Sequence, residues 1–132
     1  MRSFIPFGDP WKLEIQVPYS LLVSDGDLSW TCGQVPLDSA SNVLAPGDLL
    51  GQTSVVCDHI EAILGKNGIS PSSVGKLVLY YVKRGHDDAD RMMAYCRERF
   101  GNRPVLVPVA VPYFYYDGLL LEVDAFGSAA PD

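Results

Sequence analysis

The chain is poor in the residues that announce a specific chemistry. It has three cysteines, Cys32, Cys57 and Cys96, and no Cys-X-X-Cys spacing. An odd count without that spacing signals neither a disulfide framework nor a zinc knuckle. Reduced thiols in a reducing compartment are expected instead. The two histidines, His59 and His86, lie too far apart in sequence for a metal motif. No P-loop, Gly-X-Gly-X-X-Gly or Gly-X-Ser-X-Gly occurs. Apolar runs stop well short of the roughly 20 residues of a membrane span. The opening residues, MRSFIPFGDPW, carry Pro, Gly and Asp where a secretory signal needs an apolar stretch. A cytoplasmic protein without membrane contact is the expectation. Basic residues are scarce too, with 10 Lys and Arg against 16 Asp and Glu, for a net charge of −6. Phosphate backbones demand clustered cations, so nucleic acid is not an expected partner. The densest group, Arg97, Arg99 and Arg103, ends a predicted helix, where cations offset exposed carbonyls; an anion site is the alternative.

What is present fits one globular domain over residues 1–132, 48% hydrophobic and 20% charged. A domain of this size buries enough apolar surface to need no staple. Residues 1–16 read as a short edge strand and a loop. Residues 19–24 and 28–32 read as strands joined at Asp25-Gly26-Asp27, an Asp-Gly hairpin signal. A helix is predicted from Asp48 to Lys66, with Leu49, Thr53, Val56, Ile60 and Ile63 as its apolar face. Residues 74–83 form a strand, apolar on both faces from Leu77 to Val82 and so expected to be buried on both. A second helix spans Asp87 to Phe100, with Ala89, Met92, Met93, Cys96 and Phe100 as its stripe. Strands over 104–115 and 119–126 follow, with Asp117-Gly118 as a second hairpin turn, and 127–132 read as a flexible tail. Pro108 and Pro112 suit an edge strand or bulges.

The predicted class is α/β (α+β), a mixed sheet with two helices on one face. Two helices cannot cover both faces, so a second copy of the chain is the expected cover for the other.

The last strand carries the best candidate for chemistry. Glu122 and Asp124 are two apart and share a face, opposite Leu121, Val123 and Ala125. Desolvation would raise their pKa values and suit Glu122 to proton transfer; salt bridges or a wet face are the structural alternative. Cys32-Gly33 ends a strand, where Gly33 would let a ligand approach the backbone. Cys32 is either a nucleophile or a structural thiol. His86 reads as a cap or surface residue and His59 as a helix flank. Tyr113, Phe114, Tyr115 and Tyr116, at a predicted hairpin tip, could wall a pocket or pack at a subunit contact.

Taken in order, these segments resemble the reactive intermediate deaminase (Rid, or YjgF-like) family over about residues 17–126. The resemblance rests on Pro18-Tyr19-Ser20, Cys32-Gly33-Gln34-Val35-Pro36, Gly47-Asp48 with Gln52, and Gly68 with the strand from Val74 to Val82. It continues through Tyr95, Phe100 and Arg103-Pro104 to Leu121-Glu122-Val123-Asp124-Ala125. It implies a chorismate-mutase-like fold, a homotrimer with clefts between subunits, and hydrolysis of enamines and imines without metal or organic cofactor. It implies that Tyr19 lines the pocket, that the Gly33 backbone contacts the ligand and that Glu122 serves the catalytic water. Family deaminases carry a carboxylate-clamping arginine two residues after a strand-opening proline. Here Pro104 is followed by Val105 and Leu106, so the guanidinium is replaced by leucine. Leu106 and Tyr115 are therefore expected to shape a less charged, more aromatic substrate site. A non-catalytic binding or regulatory protein using the same clefts is the alternative.

Overall fold

The computed structural model describes residues 2–8, 17–101 and 103–129. Its elements are β1 (Arg2–Ile5), β2 (Leu22–Asp25), β3 (Leu28–Thr31), α1 (Leu49–Gly65), β4 (Val74–Val82), α2 (Asp88–Phe100), β5 (Val105–Val111) and β6 (Leu121–Ser128). The strands form one mixed sheet in the order β1-β2-β3-β6-β4-β5. Among the described strands, β4 and β5 pair in parallel and the other pairs are antiparallel. The element order and the α+β class are those read from the sequence.

Local chemistry explains the β2–β3 turn and both ends of α1. Asp25 pairs with Leu28, leaving Gly26 and Asp27 as a two-residue turn with Gly26 at φ +62°. Asp48 caps α1 by accepting from the Gly51 N–H at 3.0 Å. Past the end of α1, Gly68 takes φ +73° and the Ile69 N–H reaches back to the Leu64 carbonyl at 3.2 Å. Leu49, Thr53, Val56, Ile60 and Ile63 are all buried, as the periodicity requires. They face a sheet surface made by register: Leu77, Leu79 and Tyr81 of β4 lie opposite Ala125, Val123 and Leu121 of β6. Alternation then turns Glu122 and Asp124 to the other face.

Several expectations are corrected. Asp117-Gly118 does not join a hairpin, because β4 lies between β5 and β6. A turn signal reverses the chain but does not choose its pairing partner. The segment over 104–115 stops as a strand at Val111, ahead of Pro112, which has no N–H to offer a ladder. Residues Gly127 and Ser128, read as tail, belong to β6, where they pair with Ser29 and Leu28. Val78, Tyr80 and Val82 are only half-buried, because both helices lie on one side of the sheet. Arg99 does more than balance a helix end. Its guanidinium reaches α1, 2.7 Å from Asp58 and 3.0 Å from Glu61.

Gln52 joins the helix layer to the connection before β6. It is fully buried, donates to the carbonyls of Gly118 (2.6 Å) and Ala45 (3.2 Å), and accepts from the Leu120 N–H at 2.7 Å. Gln52→Leu keeps the volume and orphans these backbone groups. It should lower the unfolding free energy by about 2–5 kcal/mol, read from the urea midpoint.

Candidate functional site

The site begins where β3 ends. After Thr31 the chain runs on beside β6, and Gln34 and Val123 exchange backbone hydrogen bonds of 2.8 and 2.9 Å. That exchange brings Gly33 against the neighbouring Glu122. A Cβ on Gly33 would lie 2.7 Å from Glu122 Cδ and 2.9 Å from Oε2, so only glycine lets the carboxyl sit there. Glu122 is half-buried. Burial first, and then the Asp124 carboxylate on the same face, hold Glu122 above the ordinary carboxylate value. Asp124 is also raised by burial, partly offset by a hydrogen bond from the Tyr80 hydroxyl. Burial, reinforced by the two carboxylates, pushes the Cys32 thiol up to about 11, although the Gln34 amide donates to its sulfur at 3.4 Å. Cys32 is therefore a neutral thiol near pH 7, which favours its structural reading over a nucleophilic one.

Glu122 opens into a cavity of about 600 Å³, within the range of small-molecule sites. Aromatic rings make much of the wall: Phe7, Tyr19, Phe114, Tyr115 and Tyr116. Phe7 and Tyr19 meet edge to face, with centroids 5.7 Å apart, which orients a tyrosine that lies outside any strand. Leu37 and the loop Ser39–Ser41 complete another side. Asp38 shapes that loop by accepting from the Ala40 and Asn42 N–H groups, each at 2.9 Å. Those bonds, chiefly with Asn42, hold the Asp38 carboxyl below its usual value. Behind it, His59 Nε2 donates to the Leu37 carbonyl at 3.2 Å, and burial lowers the pKa of His59. Among the described lining residues, Glu122 is the one with a formal charge.

The structure thus brings together Tyr19, Cys32, Gly33, Tyr115 and Glu122. It does not bring Leu106 to them. Leu106 is in register with Leu77, on the helix-covered face, and packs against the core. The odd-numbered valines of β5 share Glu122's face instead, because paired residues of adjacent strands point the same way. The aromatic run is not a hairpin tip. It follows β5 and returns to the cavity, with Phe114, Tyr115 and Tyr116 in the wall. Sequence reading missed Phe7, Leu37 and Ser39–Ser41, which join the site through loop geometry and leave no periodic trace.

Gly33→Ala should cost about 1–3 kcal/mol by driving a methyl into the carboxyl. Adding Glu122→Ala to it should recover most of that loss, because the clashing atoms are gone. Urea unfolding of the two single variants and the double variant measures this coupling. Glu122 also makes a signed pH prediction. An acid raised on folding penalises the native state above its folded pKa and leaves it untouched below the unfolded value. Glu122→Gln should therefore be more stable than wild type at pH 7, with the gap closing as pH falls through the acid range.

Comparison with known proteins agrees with this architecture. Residues 12–128 match the model of the family described as Endoribonuclease L-PSP. A RutC family protein of Pyrococcus horikoshii is 32% identical over 109 residues, covering 82% of this chain and 84% of the relative. Protein DfrA of Myxococcus xanthus is 30% identical, covering 82% of each chain. The Rid-family protein YyfA of Yersinia pestis shares the fold with a TM-score of 0.80 at 18% identity, over 97% of this chain and 99% of that one. Escherichia coli TdcF, solved with bound serine, superposes with a TM-score of 0.79 at 20% identity, over 97% of this chain and 100% of that one. A half-buried glutamate on the free face of a two-helix, six-stranded sheet, with a family match across nearly the whole chain, places this protein in the Rid/YjgF (L-PSP, RutC) family.

Proposed function

We propose that the protein is a small-molecule hydrolase of the Rid type. Its substrate is an imine, an enamine or a related intermediate, bound at clefts between the subunits of a homotrimer. The single observation that carries this reading is Glu122, a half-buried carboxyl with raised pKa, seated on the Gly33 backbone and open to an aromatic-walled cavity. Such an acid takes a proton from water as the oxygen attacks the C=N carbon, then returns it to nitrogen as the C–N bond breaks. Tyr19 orients the ligand and the Gly33 backbone contacts it, while Cys32 and Tyr115 shape the wall. Leu106, partly buried on β5, stands where family deaminases are expected to hold the arginine that clamps the substrate carboxylate. No metal or organic cofactor enters this scheme.

Self-association is supported by what the single chain leaves uncovered. Tyr115 is 99% exposed and Tyr19 59%, and valines of β4 and β5 line the sheet face away from the helices. A second copy is the partner that covers such a face most economically. Ribonuclease action, which the family description names, fits less well. A net charge of −6 and a carboxylate in the cavity both repel phosphates. A non-catalytic ligand-binding role is the second reading. The observation favouring it is the leucine at position 106, where family deaminases are expected to hold a carboxylate-binding arginine.

Imines generated in situ by oxidases should release ammonia faster with the protein than without it. Glu122→Gln should cut that excess rate by about 100-fold or more, the usual worth of a positioned proton carrier. Unchanged turnover in the variant would remove Glu122 from the chemistry. No turnover of any imine, with retained small-molecule binding, would establish the binding reading. Light scattering on the purified protein should give the mass of three chains, and a monomer would refute clefts between subunits.

A further inference from the structure

Resting on the hydrolase reading of the same site, we infer that the cleft selects protonated amines and iminium ions that carry no carboxylate group. Three independent observations converge on it. First, two carboxylates, Glu122 and Asp124, share one face of β6, and each is half-buried. The groups facing Glu122 from neighbouring elements are Asp124 on its own strand, Tyr80 in register on β4, and Cys32 across the β3 exit. None of these is a cation, and among the described residues the charge that acts on Glu122 is the Asp124 carboxylate. Second, the described lining contains no lysine, arginine or histidine beside Glu122. Third, aromatic side chains line the same cavity as the acid, including Tyr19 with its Phe7 support and the Tyr115–Tyr116 pair, centroids 6.3 Å apart.

A carboxylate ligand would enter this field against like charge, in a medium that screens less than water. An ammonium or iminium ion gains on both counts. It pairs with a poorly solvated Glu122 and lies against the negative faces of tyrosine rings. The acidic chain as a whole adds a long-range attraction of the same sign.

The same charge logic serves the reaction. For R2C=NH2+ and water, Glu122 accepts a water proton as the C–O bond forms and the π electrons move to nitrogen. The product is a neutral carbinolamine. The proton returns from Glu122 to nitrogen, the C–N bond breaks, and the hydroxyl oxygen closes the carbonyl. Ammonia takes the hydroxyl proton, giving R2C=O and NH4+ with charge and atoms conserved. The cation that Glu122 binds is thus the electrophile that it helps to hydrate.

Three aromatic probes of one size test this: benzylammonium, benzyl alcohol and benzoate, each titrated calorimetrically into the purified full chain at pH 7. Benzylammonium should bind at least about tenfold tighter than benzoate, with the alcohol between them. Glu122→Gln, nearly isosteric, should shrink that ratio to about twofold or less. Ser39→Arg, on an exposed wall loop, should reverse the order without disturbing the core. Benzoate binding as well as benzylammonium, or none of the three binding, would overturn the inference. Turnover separates it from the reading beneath it, using the imine of benzylamine from a flavin amine oxidase and that of phenylalanine from an amino-acid oxidase. Faster hydrolysis of the phenylalanine imine would refute the selectivity and keep the hydrolase. Benzylammonium preference without hydrolysis of either would support the selectivity and refute the hydrolase.

Discussion

The backbone exchange between Gln34 and Val123 governs the rest of the site. It fixes the exit of β3 alongside β6, so that residue 33 must pass within van der Waals reach of residue 122. Glycine at 33 is the local answer to that geometry, and glutamate at 122 is then half-buried without being sealed. The Leu37–Ser41 loop starts from the same exit, held by Asp38 and backed by His59. Gln52 ties the approach to β6 to the helix layer, so the strand that carries the acid is clamped on both sides.

The energetic pattern is one of concentrated cost. Ordinary surface carboxylates are solvated, and structural ones are paired, as Asp58 and Glu61 are with Arg99. Glu122 and Asp124 lie on the side of the sheet that the helices leave open, and burial raises both. That pair of raised carboxylates is what marks this face of the sheet as the candidate site. The aromatic wall and the shape of the cavity fit a small ligand.

Much of this was legible in the sequence, for physical reasons that can be named. Periodicity and turn residues locate the two helices and six strands described, and alternation in Leu121 to Ala125 puts the two acids on one face. The Asp25-Gly26 turn is read correctly because its strands are adjacent in the sheet. The Asp117-Gly118 turn is misread because the partner of β6 on that side is β4, a choice made by non-local packing. The face that Leu106 takes within the chain depends on the parallel register with Leu77, which no local pattern encodes. Gly33 is singled out as a glycine at a strand end and Tyr19 through family resemblance, whereas Phe7 and Ser39–Ser41 enter through loops whose paths the sequence does not spell out.

The proposed role of Glu122, a half-buried acid that binds a cation, is open to direct titration. Carbon-13 labelling of glutamate side chains, with Glu122→Gln to assign the signal, lets its carboxyl be titrated alone and with saturating benzylammonium. The expected midpoint lies above the ordinary glutamate value in the free protein and falls when the amine is bound. An ordinary midpoint that the amine does not move would contradict it.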